Sequence, residues 1–575
     1  MTLFTAKRQD VASNIFIGLT ALTFIPVIFL NFDTHHDGLI VQTVINLKDS
    51  IQNQGSWPFN QYGSFWIFPF TIGTWFLDSS SILIGIRVIT LACYWITGWL
   101  IYRVGLFYSS KLVSKWVVIY FFLSQPFFGG WNSSFLPWPS ALAMPLIIGA
   151  MYLLLCSDNN KGPVFPKPRI ESCFVILGVF MAMLLGTRLQ IGALLTCFIL
   201  LFIAFYRERK HLILFVSSYI ACIAFWCSFL HYNNWLADSV NDSVRLASTF
   251  LSESYMHYPL PWATIGMSIL ISIVILLCLK FNTSILGKLF IFSLPFLLVL
   301  GVFGLYLLSK VQNNQNELDN YIALLQRKVM AGLFFGSLIV CLIVILQTSY
   351  KSYEFTLRSK QNWMLLFGFS LIASIQAWPF FDQMHIWWSS VPGSIIVMLL
   401  FNFLRIKFAL GFKEIALSYL VFFMLLLIPL ISQFSDGRKQ LDSFGLNHVF
   451  GIARFEDNNI ELAQFFSASV PERSAVLNLC PNADVFFVDL NYVQISRFPV
   501  YWANFANVPS VQQQLEFIDP QYIVTCRNAY YGPEETIYYQ MLQNNIILSQ
   551  NIDYKLLSSY TKSGFNWSVY EVKNP

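Results

Sequence analysis

Residues 31–38 read Asn-Phe-Asp-Thr-His-His-Asp-Gly, directly after an apolar run that ends at Leu30. Asp33, His35, His36 and Asp37 put four ionisable groups within five positions. Carboxylates beside an apolar segment can take a proton from a polar hydroxyl. Two carboxylates with two imidazoles can also hold a divalent cation, magnesium or manganese, with Asp33, Asp37 and His36 as the ligand set. Plainer roles exist as well. Asp37 precedes Gly38 and a helical pattern, so it fits a helix N-cap. His35 and His36 fit interfacial hydrogen bonding. Asp33 has no comparable local role, which favours a functional one.

Three other places carry chemistry-bearing residues. Arg188, in Gly186-Thr187-Arg188-Leu189-Gln190, stands at a tip between two apolar arms. A cation there needs a partner, either an anionic group such as a phosphate or a nearby Asp. Arg245 and His257 lie in the loop 232–261 with Trp235, Tyr255 and Tyr258. That loop also fits an ordinary aromatic belt. Asp382 and His385 lie in Trp378-Pro-Phe-Phe-Asp-Gln-Met-His-Ile-Trp-Trp388. Acid, imidazole and indoles together suit a sugar, whose C–H faces pack on rings; a Trp-rich interfacial belt is the alternative.

The elements that must position these residues are set by composition. Of 575 residues, 56% are hydrophobic and 11% charged, against about 25% charged in a soluble domain. A water-soluble enzyme and a disordered chain are both excluded. Apolar runs long enough to cross a bilayer fall near 12–31, 82–102, 114–128, 137–156, 172–187, 189–206, 211–231, 262–281, 286–308, 329–348, 362–379, 391–404 and 414–434. These predict a polytopic α-helical membrane protein with about 13 crossings. The first run is too long, and lacks the small-residue site, for a removable signal peptide.

Loop charges orient the crossings. Alternate loops hold 19 Lys and Arg, including Lys7, Arg103, Lys111, Lys115, Arg207, Lys210 and Arg358; the opposite loops hold six, Lys48, Arg188, Arg245, Lys310, Arg327 and Lys328. The N-terminus is therefore expected in the cytoplasm and everything after the last crossing outside. Ten acids of the membrane part fall on the outer side and six on the inner. The Lys and Arg are scattered, so no nucleic-acid partner is expected.

Residues 1–434 carry 26 Lys and Arg against 16 Asp and Glu, whereas 435–575 carry 9 against 14. The second part reads as a small α/β domain. Strands are predicted at 474–480, 484–490, 521–526 and 566–572, helices at 458–468, 509–517 and 535–548. It has no Gly-rich phosphate loop, metal-spaced Cys/His set or nucleophile elbow. Acceptor binding or scaffolding is its expected role. Cys480 and Cys526 end apolar runs there and fit either a disulfide or two buried thiols.

After Gly38, Ile40, Val44, Leu47 and Ile51 repeat at helical spacing, with Gln42, Thr43, Asn46, Asp49 and Ser50 on the other side. Such a helix should lie in the membrane interface. An aromatic, turn-rich stretch follows, Gly55-Ser-Trp-Pro-Phe-Asn-Gln-Tyr-Gly63. The pattern Asp33-x-x-His36-Asp37-Gly38, then Gln61-Tyr62-Gly63, resembles a bacterial branch of the GT-C superfamily of integral membrane glycosyltransferases. That superfamily includes protein O-mannosyltransferases, the oligosaccharyltransferase catalytic subunit and aminoarabinose transferases. The resemblance covers the layout of the membrane part; its specific motifs lie in 31–63, with an echo at 378–388.

What the resemblance implies is specific. A GT-C-like domain over 1–434 would move a sugar from a polyprenyl-phosphate donor to a glycan, lipid or protein acceptor, on the outer face of the bacterial cytoplasmic membrane. Such chemistry belongs to cell envelope polysaccharide assembly. Asp33 would be the general base, with Asp37 as second choice. His35, His36, Gln61, Tyr62, Arg188, Arg245, His257, Asp382 and His385 would line the substrates. Many relatives carry a second, metal-binding acid in the next outer loop. Here that loop, Gly129 to Trp138, has none, so protein cations could hold the phosphate instead. Two other functions fit a protein of this type: an oligosaccharide polymerase or ligase, and a flippase or transporter. Arg87 is nearly the only charge within a span, which disfavours transport.

Overall fold

The computed structural model describes residues 2–22, 24–28, 36–58, 62–77, 81–124, 138–157, 169–246, 265–266, 268–273, 276, 334–343, 357–377, 383–407, 457–479, 493–494, 520–528, 553–562 and 565–573. It is mostly helical. Helix α1 spans Thr2–Leu22, α2 Phe24–Val27, α3 His36–Asn53, α4 Ile67–Gly73, α5 Ile82–Tyr108 and α6 Lys111–Leu123. Then come α7 Pro139–Cys156, α8 Ile170–Thr187, α9 Leu189–Tyr206, α10 Arg209–Tyr232 and α11 Leu236–Val240.

Five of these, α5 and α7 to α10, are long and apolar enough to cross a membrane. They match the predicted crossings at 82–102, 137–156, 172–187, 189–206 and 211–231. Shorter apolar helices Asp10–Leu22, Phe334–Ile343 and Gly393–Phe403 overlap three more, and Leu357–Ser374 covers much of another. The crossings at 286–308 and 414–434, and most of 262–281, lie outside the described residues.

Among these five helices α7 is the most enclosed, with 72% of its apolar window buried, and α10 the most exposed, with 6%. Burial in lipid gives no hydrophobic drive between helices, so close packing must hold them together. Gly178 on α8 supplies it against α10. A methyl group there would meet Phe215 O at 2.5 Å. At the other end of the hydropathic range, Arg87 on α5 is fully buried and donates from Nη1 to Ile28 O at 2.7 Å. It therefore fastens the last described residue before the 31–37 segment.

Helix α3 is more enclosed than an interfacial helix. Ile40, Val44 and Leu47 are buried as their spacing predicts, but so are Leu39, Val41, Thr43 and Ser50. Its polar side is only partly covered: Asp49 stays exposed and Gln42 and Asn46 half-buried, and Ile51 of the apolar stripe is exposed as well. The buried hydroxyls are satisfied locally. Thr43 Oγ1 donates to Leu39 O and Ser50 Oγ to Ser56 O, both at 2.7 Å.

The C-terminal part forms a five-stranded mixed sheet, ordered β2-β1-β3-β5-β4. Its strands are β1 Ala475–Leu479, β2 Val493–Gln494, β3 Tyr522–Asn528, β4 Asp553–Lys562 and β5 Phe565–Lys573. Strand β1 runs parallel to β2 and β3; β5 runs antiparallel to β3 and β4. The helix Asp457–Ser469 packs on it through buried Leu462 and Phe466 and a Phe465–Tyr560 stack at 5.5 Å. The predicted strands at 474–480, 521–526 and 566–572 and the helix at 458–468 form. Strand 484–490 and helices 509–517 and 535–548 lie outside the described residues, as does Cys480.

Candidate functional site

Helices α8 and α9 are two antiparallel arms broken at one residue. Arg188 is that break, extended at φ −140°, ψ 90°. Both arms are closed around it: Arg188 N–H donates to Leu184 O at 2.8 Å, and Gly192 N–H donates to Arg188 O at 2.8 Å. The side chain is half-buried. Its Nε lies 3.1 Å from Ser140 Oγ, and Nη2 also bonds that hydroxyl. Its Cζ stands 5.0 Å from the centre of the Tyr62 ring. Burial lowers the guanidinium's pKa from its ordinary value, yet it stays a cation at any physiological pH. Among the described residues no carboxylate pairs with it.

The Tyr62-Gly63 segment is held against this break from several sides. Phe65 N–H donates to Gly186 O at 2.7 Å. Gly63 lies so close to Gly186 O that a side chain would collide with that carbonyl, and a methyl at Gly186 would meet Phe65 Cβ at 2.8 Å. Glycine is required on both segments by the close approach. Tyr62 packs edge-on to Trp138 at 5.0 Å and to Trp66 at 6.2 Å. Its carbonyl accepts from Ser243 Oγ at 2.6 Å. Trp226 Nε1 donates to Ser64 Oγ at 2.8 Å, and Trp235 Nε1 to Gly55 O at 2.8 Å.

The predicted candidates thus divide. Tyr62 and Arg188 are brought together. His36 and Asp37 open α3, but their side chains lie outside the described atoms, as does that of Arg245 in the turn after α11. Asp33, His35, Gln61, His257 and Asp382 lie outside the described residues. His385 is described: it is half-buried on the helix Gln383–Ser389, with its ring 5.3 Å from Trp388. That helix is no interfacial belt. Trp387 and Trp388 are buried. Trp387 stacks on Phe121 at 5.2 Å and Phe24 at 6.4 Å, and its Nε1 donates to Phe121 O at 3.0 Å. His385 therefore rides on an element seated against Phe24, beyond the end of α1.

Sequence reasoning missed Ser140 and Trp138, which bond and wall the Arg188 group. Their only signal is Trp-Pro-Ser at the head of an apolar run. It also missed Asp242, fully buried next to Ser243. Among the described residues no group of three His, Cys, Asp or Glu side chains is placed to hold a metal. The Asp33, His36 and Asp37 side chains fall outside that set.

No protein-family model and no curated protein matches this chain. Solved structures do resemble it. The structure of ArnT from Cupriavidus metallidurans bound to undecaprenyl phosphate is similar at TM-score 0.49 and 9% identity, over 96% of this chain and 97% of that one. The archaeal oligosaccharyltransferase AglB from Archaeoglobus fulgidus, in complex with an inhibitory peptide and a dolichol-phosphate, is similar at TM-score 0.47 and 11% identity, over 90% and 69%.

Proposed function

We propose that this chain is a GT-C-type membrane glycosyltransferase that moves a sugar from a polyprenyl-phosphate donor to an acceptor hydroxyl. The observation that carries the reading is the Arg188 group. A half-buried guanidinium stands at a helix break, braced by a hydroxyl and an aromatic face, with no carboxylate partner among the described residues. That is the chemistry of a phosphate seat. It adjoins Tyr62 and Gly63, which belong to one of the two motifs behind the family resemblance.

In the proposed reaction Asp33 takes the proton of the acceptor hydroxyl. The acceptor oxygen bonds to the anomeric carbon as the bond from that carbon to the donor phosphate breaks. The polyprenyl phosphate leaves with the electron pair, and Arg188 neutralises its growing charge. Arg245 and His257 would close over the donor, and Asp382 and His385 would line the sugar side. A divalent cation at Asp33, His36 and Asp37 would supply Lewis-acid help to the leaving group if bound. The reading places the site on the outer face of the cytoplasmic membrane, with 435–575 outside as an acceptor-binding or scaffolding domain.

The test is transfer itself. Purified protein, polyprenyl-phosphate sugar and a panel of lipid, glycan and peptide acceptors should give a product one sugar larger. A product longer by a whole chain would point to a polymerase or ligase. Movement of the lipid sugar across proteoliposomes with no new glycosidic bond would point to a flippase.

A further inference from the structure

A second site lies at the opposite end of the bundle. Between α1, α5 and α6 runs a groove of about 350 Å3, within the roughly 300–1,000 Å3 of small-molecule sites. Ile17, Val118, Phe122, Trp95 and Trp99 form its walls. Trp95 and Trp99 are 38% and 56% exposed, so the groove opens sideways toward lipid rather than into a protein core.

Its foot is cationic. Lys111 and Lys115 both line it. Lys115 is almost wholly buried, with Nζ 2.5 Å from Asp10 Oδ1 and 3.2 Å from Asp10 O. Lys111 Nζ lies 3.1 Å from Asp10 Oδ2, yet its side chain is 61% exposed. Two cations face one carboxylate, which leaves a positive charge at the mouth. The Arg103 guanidinium, 5.8 Å from the Trp99 ring centre, adds to that field.

Apolar walls and a cationic foot suit different parts of one molecule. From Lys115 to Phe122 the wall rises seven helical residues, about 10 Å, much of one leaflet's hydrocarbon depth of about 15 Å. A soluble anion would use the foot and leave the walls bare. The loop-charge pattern places Lys111 and Lys115 on the cytoplasmic side, the leaflet face whose anionic lipids attract basic residues.

We propose that this groove binds one anionic phospholipid of the cytoplasmic leaflet, its phosphate at Lys111 and an acyl chain along the Trp95–Trp99 wall. The bound lipid would seal the seam between α1 and α5–α6, remote from the Arg188 group.

Native mass spectrometry of the full chain, with phosphatidylglycerol and phosphatidylcholine added in equal amounts, reads the site directly. Wild type should retain phosphatidylglycerol about fivefold better, the effect of one interfacial cation. Lys111→Ala should bring the ratio near one while the melting temperature holds. Wild-type retention without preference would overturn the proposal, and so would a preference unchanged in Lys111→Ala. Displacement of the lipid by equimolar inorganic phosphate would overturn it too, because the site would then recognise a free anion.

Discussion

Arg188 was legible as a candidate because a lone cation at the tip of two apolar arms has few reasons to be there. Its neighbours were not. Ser140 lies inside an apolar run, where serine usually bonds its own helix, and nothing in the sequence says that this hydroxyl meets a guanidinium 48 residues away. Tyr62 is different: the motif named it, and the fold gives the reason, a ring 5.0 Å from Arg188. Two predictions belong here. Arg188→Ala should weaken binding of a polyprenyl phosphate, measured by microscale titration in nanodiscs, by about 1.5–3 kcal/mol, the value of a hydrogen bond to a charged group; Arg188→Lys should recover only part of it, because a single ammonium cannot reproduce the guanidinium fork. A double-mutant cycle of Arg188→Ala with Tyr62→Leu should return a coupling of about 0.5–2 kcal/mol. Additive losses would mean that the two side chains act apart.

At the scale of elements, hydropathy and periodicity located the five long apolar helices and three of the strands, because both signals are local. They failed where enclosure was decided by distant neighbours. Helix α3 looked half polar, yet Thr43 and Ser50 are buried once α4 and α5 close over it. For Trp387 and Trp388 a belt was the alternative reading, yet Trp387 stacks on both Phe24 and Phe121 and Trp388 is buried. Strand β4 escaped notice because its residues Lys555 to Leu557 and Ser559 are exposed, as suits an edge strand whose lysines discourage further pairing. The contact between 62–65 and the α8–α9 break is the element-level joint of the site. Gly63→Ala should collide with Gly186 O and cost about 1–3 kcal/mol or more as overpacking, read as a lower thermal midpoint in detergent. An unchanged midpoint would mean that the two segments can separate freely.

The α1–α6 joint is electrostatic. Hydrogen bonds from Lys115 and then Lys111 hold the Asp10 carboxyl below its ordinary 3.8. A depressed carboxylate stabilises the fold above the unfolded value and loses that contribution as pH falls through the folded one. The stability gap between wild type and Asp10→Asn should therefore be full at pH 6 and shrink steadily below about pH 4. A gap that widens on acidification would contradict the pairing. Other carboxylates titrate in both proteins and cancel in the difference.

For the whole molecule, contacts group the loops in the same way as their charges. Asp10 meets Lys111 and Lys115, and Lys210 meets Glu171 and Glu208; all belong to the set read as cytoplasmic. Trp138, Arg188 and Ser243 each meet Tyr62, and all four belong to the opposite set. The proposed topology predicts that alkaline phosphatase fused after Pro575 is active and that a fusion within 158–168 is inactive. The reverse result would invert the protein and move the site to the cytoplasmic face. What composition alone could say was only that so little charge requires a membrane. The alternation of cations proposes two sides for that membrane, and the contacts among the described residues keep the two sets of loops apart.

The central claim is base-catalysed sugar transfer to an acceptor from a lipid phosphate. Single-turnover transfer from a polyprenyl-phosphate sugar by Asp33→Asn protein, with donor affinity measured on the same sample, tests it most directly. The account predicts donor binding within about twofold of wild type and a transfer rate lower by about 10²–10⁴, the usual contribution of a general base. Transfer at the wild-type rate with Asn at position 33 would contradict it.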